Sequence, residues 1–234
     1  IVDEIYTIAV KEENSPQIIK TLFYKSKFAL TLEEDAQLKV IQLFKKHISE
    51  SKFPTKNVLE NILANLYWQY FTQHRYKFYN RTKTENKVNE TDFRTWDLNT
   101  LFREIHCHFE ASLENSEALQ KTNIYDFAPI LEVQKGAKTY RPTLYDFLAN
   151  NALEFYKTSE TSITKPTEQF TLDNPSFLSD LEKFSKLYLV SKDKLSLQFN
   201  ALKIYQKLID PNDLETAPEK LADIEIKRFQ FLNN

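Results

Sequence analysis

The stretch NVLENILANLYWQYF, residues 57–71, decides the fold class of this 234-residue chain. Its apolar residues come in pairs that step by four positions: Val58/Leu59, Ile62/Leu63, Leu66/Tyr67 and Tyr70/Phe71. This spacing is typical of an amphipathic α-helix with a wide apolar stripe, and it predicts a helix over 54–80. Because such a long stripe must be covered on both sides, we expect neighbouring helices to pack against it.

The chain has a single glycine, Gly136. Glycine supplies the positive φ angles and the close backbone approach that tight hairpins and phosphate-binding loops require. A P-loop, a G-x-G-x-x-G dinucleotide turn and a G-x-S-x-G nucleophile elbow each need several glycines within a few residues. The sequence excludes these sites, and it predicts an all-α protein with little or no strand.

Similar periodicity and end signals predict helices throughout the chain. They cover 1–11, 15–32, 33–49, 97–113, 116–121, 143–157, 177–184, 194–209 and 218–232. Ser15 and Asp193 are the predicted N-caps of two of them. Irregular linkers are predicted near 81–95, 124–141 and 158–176, and short extended pieces near 164–172 or 186–190. We expect one helical domain over 1–234, belonging to a larger protein that carries its targeting signal upstream.

The segment ALKIYQKLIDPN, residues 201–212, looks like the second helix and exit turn of a tetratricopeptide repeat (TPR). In that motif Ala201 lies at the close contact between helices, Tyr205 packs outward and Pro211 ends the helix. We therefore predict a TPR-like array of antiparallel helical hairpins, similar to an α-solenoid.

Charge and hydropathy limit the partners of the chain. The formal net charge is −2, and basic and acidic residues are interspersed. The basic and aromatic run 74–81 has the composition of a single-strand nucleic-acid platform, but it equally fits a helix end whose cations favour the C-terminal dipole. The overall charge favours the helix end, so we predict no nucleic-acid partner. No apolar run approaches the length of a membrane span.

The only cluster of soft metal ligands is His106-Cys107-His108. On a helix the two histidines point to opposite sides, so they cannot share a metal ion. The pairs Glu104–His108 and His106–Glu110 each offer two ligands, whereas zinc takes three or four. Three S-x-x-K matches lack the S-D-N and K-T-G motifs of penicillin-binding enzymes. We therefore predict no metal, no cofactor and no catalytic residue, and the single cysteine allows no internal disulfide.

Four aromatic segments in this order are similar to one protein family. They are LYWQYF (66–71) running into KFYNRT (77–82), DFRTWDL (92–98), YRPTLYDFLA (140–149) and SLQFNALKIY (196–205). Together the segments resemble the N-terminal region of the very large alpha-2-macroglobulin-like proteins of Bacteroidetes, and the resemblance covers nearly the whole chain.

The resemblance implies a helical accessory domain of an exported protein, located in the periplasm or at the outer membrane, that precedes β-sandwich domains. Some family members are thought to trap proteases through a thioester formed in a Cys-x-x-Gln motif. Here Cys107 is followed by His108, Phe109 and Glu110, so no trapping chemistry transfers to this segment. The implied partner is a protein, either the downstream macroglobulin domains or another envelope component.

We therefore expect a non-catalytic interaction or spacer domain whose contact surface includes the exposed aromatic residues Tyr76, Phe78, Tyr79 and Trp96. We also expect Trp68, Phe71, Phe147, Phe155, Phe199 and Leu202 to be largely buried. Two alternatives stay open. One is a cytoplasmic TPR-like adaptor, and the other is a helical enzyme with a site around 68–79. An enzyme would bring polar groups with shifted pKa values together in a pocket.

Overall fold

The computed structural model describes residues 1–32, 35–81, 87, 89–132, 135–158, 160, 169–210 and 213–233. Within these ranges the protein is helical and has no strand, which confirms the all-α class. The chain divides into two compact units, Ile1–Val133 and Gln134–Asn234. The single helical domain over 1–234 stays a prediction, because helical periodicity reports the buried face of a helix and not which helices share a core. The boundary lies within 124–141, which was predicted as an internal linker.

The first unit contains six α-helices in its described part. They are α1 (Val2–Lys11), α2 (Ser15–Leu32), α3 (Ala36–Glu50), α4 (Thr55–Tyr79), α5 (Leu98–Ser112) and α6 (Ser116–Lys121). Short 3₁₀ turns lie at Phe93–Thr95 and Ile124–Ile130, inside two of the predicted linkers. Helix α4 packs against α3 and α5, while α2 packs against α1, α3 and the second 3₁₀ turn. The stripe of residues 57–71 is thus covered as expected.

Buried polar side chains fix the ends of these helices. The Asp97 carboxylate accepts a hydrogen bond from the Thr100 N–H at 2.8 Å and begins α5. At the other end of α5, Asn57 Nδ2 donates to the carbonyl oxygen of Ser112, the last residue of the helix (3.2 Å), and to that of Glu114 just beyond it (3.0 Å). The predicted N-cap of α2 is one residue out, since Asn14 Oδ1 accepts from the Gln17 N–H.

The second unit contains another six α-helices in its described part. They are α7 (Ala137–Tyr140), α8 (Leu144–Tyr156), α9 (Leu181–Ser185), α10 (Leu197–Leu208), α11 (Asp213–Thr216) and α12 (Pro218–Leu232), with a 3₁₀ turn at Pro175–Leu178. Helix α8 packs against α10, and α12 contacts α7, α10 and α11. A capping box starts α8, because Asp146 Oδ2 accepts from the Thr143 N–H at 3.0 Å and Thr143 Oγ accepts from the Asp146 N–H at 3.2 Å.

Tyr205 on α10 is buried, so the prediction that it packs outward is wrong. Helix α12 covers it: the Tyr205 hydroxyl donates to the Lys227 carbonyl oxygen at 3.2 Å, and its ring lies 5.9 Å from that of Phe231. Ala201 is fully buried. Pro211 lies outside the described residues.

Several helix boundaries also differ from the sequence prediction. Helix α10 begins at Leu197 and not at Lys194, because the Ser196 hydroxyl and not Asp193 caps it, accepting from the Phe199 N–H at 3.2 Å. The short helix α11 was not predicted, and residues 186–190 form no strand. Within other predicted segments, residues 33–34, 82–86, 88 and 161–168 lie outside the described ranges.

Four of the six residues predicted to be largely buried are in the core: Phe71, Phe155, Phe199 and Leu202. Trp68 and Phe147 are intermediate in exposure, less deeply buried than the other four. The Trp68 ring still contacts Phe71 at 5.3 Å and Phe102 at 6.0 Å, which places it at the edge of the α4–α5 packing.

Candidate functional site

The structure separates the four aromatic residues predicted as a contact surface. Tyr76 is 84% exposed and Tyr79 is 47% exposed, whereas Phe78 and Trp96 are buried. The prediction that Phe78 and Trp96 are exposed is therefore wrong. For Phe78 the reason is a kink in α4 at His74, where φ is −120° and ψ is 22°. The Phe78 ring then packs beside Phe71 at 5.7 Å, and the Arg81 guanidinium covers it at 4.7 Å.

Trp96 is buried by polar contacts around its ring as well as by apolar packing. Its indole N–H donates to the Asn89 carbonyl oxygen at 2.6 Å. The ammonium groups of Lys87 and Lys45 lie 4.3 Å and 5.6 Å from the ring centroid, within the range of cation–π attraction. Trp96 therefore forms the wall of a charged cluster and does not face solvent.

That cluster, here called the α4–α5 ionic cluster, comprises Lys45, Glu60, Lys87, Glu104 and His108. Glu104 lies at its centre and pairs with Lys45 Nζ at 2.7 Å and Lys87 Nζ at 2.9 Å. His108 lies between two carboxylates, with Nδ1 at 2.5 Å from Glu60 Oε2 and Nε2 at 3.6 Å from Glu104 Oε1. The cluster joins α3, α4 and α5 through charged groups that are largely withdrawn from water.

The two histidines of the 106–108 motif have separate partners, as their spacing predicted. His106 is buried and pairs with Glu110 at 3.2 Å, while His108 turns toward α4. The two i+4 pairs considered from the sequence, Glu104–His108 and His106–Glu110, are both present as close contacts between the imidazole and the carboxylate. Among the described residues, no group of three or more His, Cys, Asp or Glu side chains is arranged to hold a metal ion. Lysine ammonium groups occupy the remaining side of Glu104.

The environment of the cluster shifts the pKa values of its members. Burial alone would raise the pKa of Glu104, but its contacts with His108, Lys45 and Lys87 outweigh burial and hold it well below its usual range. Burial would lower the pKa of His108, yet its contacts with Glu104 and Glu60 raise it above its ordinary value. Burial raises the pKa of the adjacent Tyr67 far above its usual range. Glu104 and Tyr67 therefore keep one protonation state near neutral pH.

The geometry of the cluster places His108 between helices. The Tyr67 ring stacks on His108 with centroids 5.9 Å apart, and both ring nitrogens of His108 face carboxylates. A general acid or base needs a nitrogen or oxygen within hydrogen-bond reach of a substrate. In His108, Nδ1 is already paired with Glu60, while Nε2 is buried 3.6 Å from Glu104 Oε1 without a hydrogen bond, so the arrangement links helices through Nδ1.

The second unit contains a different buried cluster, here called the Lys220 cluster, formed by Asp146, Asp213 and Lys220. Lys220 Nζ lies 3.0 Å from Asp146 Oδ1 and 2.8 Å from Asp213 Oδ2. Burial would lower the pKa of Lys220, but the two aspartates raise it, so the ammonium stays charged. Arg228, also on α12, is fully buried and donates to the carbonyl oxygens of Phe177 (2.5 Å) and Ser179 (2.8 Å).

The sequence analysis missed both clusters, although part of the signal was present. Glu60 shares a helical stripe with the apolar residues Ala64 and Tyr67, and Lys220 shares one with Ile224. A charged residue at a core position of an apolar stripe predicts a buried ion pair or hydrogen-bond network. For Lys45 and Lys87, the neighbouring sequence does not indicate that they take part in the cluster.

The surface that best fits a binding role is on α2 and was also missed. Five large apolar side chains of its second half are exposed: Phe23, Tyr24, Phe28, Leu30 and Leu32. We call this set the α2 apolar surface. Ile19 and Leu22 of the same helix are buried against neighbouring helices. Clustered exposed apolar residues of this kind mark interaction sites more often than scattered ones do.

Comparison with known proteins gives no match: no family model fits the chain, and no curated protein or solved structure is significantly similar to it. In the part of the chain that the structure describes, no helix has the length and apolar character needed to cross a lipid bilayer.

Proposed function

We propose that this chain is a non-catalytic helical interaction and spacer domain, which binds protein through the α2 apolar surface. The observation that carries the proposal is the exposure of five large apolar side chains on one half of a single helix. Leaving that area in water is unfavourable, and a protein partner that covers it recovers the hydrophobic free energy. The exposed Tyr76 and Tyr79 are a second, smaller contact region.

The arrangement of the polar groups supports a non-catalytic role. The shifted pKa values of Glu104 and Tyr67 move away from neutrality, and the ring nitrogens of His108 face carboxylates. Ion-pair networks that only stabilise a fold shift pKa values in the same way as active sites do. The α4–α5 ionic cluster is therefore assigned to stability.

The family resemblance of the aromatic segments gives the proposal its context. We propose that the helices form part of a TPR-like array that precedes the β-sandwich domains of a large exported alpha-2-macroglobulin-like protein of the cell envelope. Arrays of paired helices present extended surfaces to peptides or neighbouring domains. The partner is then either the macroglobulin domains of the same polypeptide or another envelope protein.

Photo-cross-linking in the native cell tests this proposal. A photoreactive amino acid replaces Phe28, which is exposed on the α2 apolar surface, and in a matched control it replaces the exposed Lys52. We expect cross-links from position 28 to macroglobulin domains or to one envelope protein, with none above background from position 52. Mass spectrometry of the cross-linked peptides identifies the partner.

Three results would contradict the proposal. Equal cross-linking from positions 28 and 52 would mean that α2 has no specific contact. Cross-links to cytoplasmic proteins would favour the adaptor alternative. Turnover of a small substrate by the purified chain, lost when His108 is replaced by Gln, would favour the enzyme alternative.

A further inference from the structure

Positive charge and apolar area occur together on α2. The helix has three lysines, Lys20, Lys25 and Lys27, and no acidic residue. Lys25 pairs with Asp3 at 2.7 Å on the side facing α1. Lys20 and Lys27 have no ion-pair partner among the described residues, and Lys27 is exposed. The acidic residues that follow the helix in sequence, Glu33 and Glu34, lie outside the described residues.

Helical geometry places Lys27 among the apolar residues of this surface, and Lys20 on the same line of the helix about one turn before Phe23. At about 100° of rotation per residue, Tyr24, Phe28 and Leu32 form one row, and Phe23 and Leu30 form another. Lys20 and Lys27, seven residues apart, follow a line between these two rows. The surface therefore consists of two apolar rows with two lysine ammonium groups between them. The two lysines are about two helical turns apart.

From this pattern we propose that the α2 apolar surface binds an acidic amphipathic helix, with two carboxylates seven residues apart that meet Lys20 and Lys27. On the partner helix, apolar residues on both sides of the carboxylates contact the two rows of α2, one of which begins at Tyr24 and the other at Phe23. The inference rests on the proposed function and specifies the chemistry of its partner. Charge complementarity fixes the register of the two helices, while the apolar rows supply the buried area.

A membrane surface fits the same residues less well. Helices that lie on anionic lipid carry their lysines on the polar face, away from the apolar face that enters the acyl chains. On α2 the two lysines lie between the apolar rows, so inserting both rows would carry Lys20 and Lys27 away from the headgroups. A helix whose carboxylates approach the lysines directly avoids that cost.

A pair of synthetic peptides tests the inference. The acidic peptide has the length of α2 and carries two glutamates seven residues apart between leucine rows; the basic peptide has lysine at both glutamate positions. Fluorescence anisotropy measures their binding to the full chain. We expect the acidic peptide to bind at least about tenfold more tightly than the basic one.

Charge reversal makes the test specific. The double variant Lys20→Glu/Lys27→Glu is expected to reverse the preference, so that the basic peptide binds more tightly. The control Lys52→Glu/Lys121→Glu changes the net charge equally at exposed positions elsewhere and is expected to keep the preference for the acidic peptide. The single variant Phe28→Ala should bind both peptides more weakly than the original protein does. Circular dichroism confirms that each variant is folded.

Several outcomes overturn the inference. They are no binding of the acidic peptide, equal binding of both peptides, or a preference that the Lys20/Lys27 variant does not change. Binding to vesicles of anionic phospholipid that this variant abolishes, without peptide binding, would assign the surface to a membrane. If position 28 cross-links to a protein in cells while charge reversal has no effect on peptide binding, the proposed protein-binding function stands. The proposal that the partner is an acidic helix is then wrong.

Discussion

The two units both bury charged side chains, but with opposite arrangements. In the α4–α5 ionic cluster one carboxylate, Glu104, is shared by two lysines and a histidine. In the Lys220 cluster one ammonium is shared by two aspartates. The side chains of Lys45 and Lys87 are 38% and 33% exposed, whereas that of Lys220 is 6% exposed. The second cluster thus depends on one buried cation, while the first has partners that can substitute for one another.

Replacing the central lysine of the second unit should give the largest effect. Lys220→Met keeps most of the side-chain volume but leaves the buried Asp146 without its cation. Removing one partner of a buried pair leaves an uncompensated charge, so we expect a loss of about 3–5 kcal/mol in the free energy of unfolding. Urea denaturation followed by circular dichroism measures this loss.

The matched control for Lys220 is the more exposed pair of Lys157 and Glu154, 3.1 Å apart, whose side chains are 29% and 73% exposed. Lys157→Met should change the free energy of unfolding by less than about 1 kcal/mol, because water screens this pair. Similar losses in the two variants would show that burial does not distinguish the Lys220 cluster from a surface pair.

In the first unit, Glu104→Gln should be less damaging than Lys220→Met. The amide removes the negative charge, but Lys45 and Lys87 can turn toward water and His108 keeps its contact with Glu60. Lost hydrogen bonds between charged groups of this kind correspond to about 2 kcal/mol. Tryptophan fluorescence during urea denaturation reports on this unit, because Trp68 and Trp96 are the only tryptophans of the chain. A loss equal to that of Lys220→Met would contradict the comparison.

The histidine makes the first cluster sensitive to pH. The pKa of His108 is raised in the folded state above its ordinary value of 6.5. Its contribution to stability is therefore complete below that value and is lost as the pH rises through the folded pKa. We expect the difference in unfolding free energy between the original protein and His108→Gln to shrink as the pH rises above 6.5 and passes through the raised pKa of the folded state.

Subtracting the unfolding free energy of His108→Gln from that of the original protein separates the contribution of His108 from those of the other histidines. Burial lowers the pKa values of His47 and His74, which gives them the opposite pH dependence in both proteins. A difference that stays constant with pH would show that His108 does not change its protonation state between folded and unfolded protein.

Apolar periodicity predicted most of the fold, because burying a stripe is a local property of each helix. The bounds of α2 and α12 agree with their predicted ranges of 15–32 and 218–232. The kink at His74 and the contacts of the Trp96 ring with Asn89, Lys45 and Lys87 are not visible in the local pattern, so Phe78 and Trp96 were wrongly expected at the surface. The ionic clusters unite residues from several helices, and the α2 apolar surface depends on which side of α2 its neighbours cover.

The smallest effect is expected for Lys87→Met in the first unit. Lys87 is one of two lysines on Glu104, and its ammonium also lies 4.3 Å from the Trp96 ring centroid. The methionine keeps the apolar contact with the ring, and Lys45 still neutralises Glu104, so we expect a loss below about 1 kcal/mol by tryptophan fluorescence. The double variant Lys45→Met/Lys87→Met should lose more than the sum of the two single variants, because only then is Glu104 left without a lysine. Additive losses would show that the two lysines do not substitute for one another.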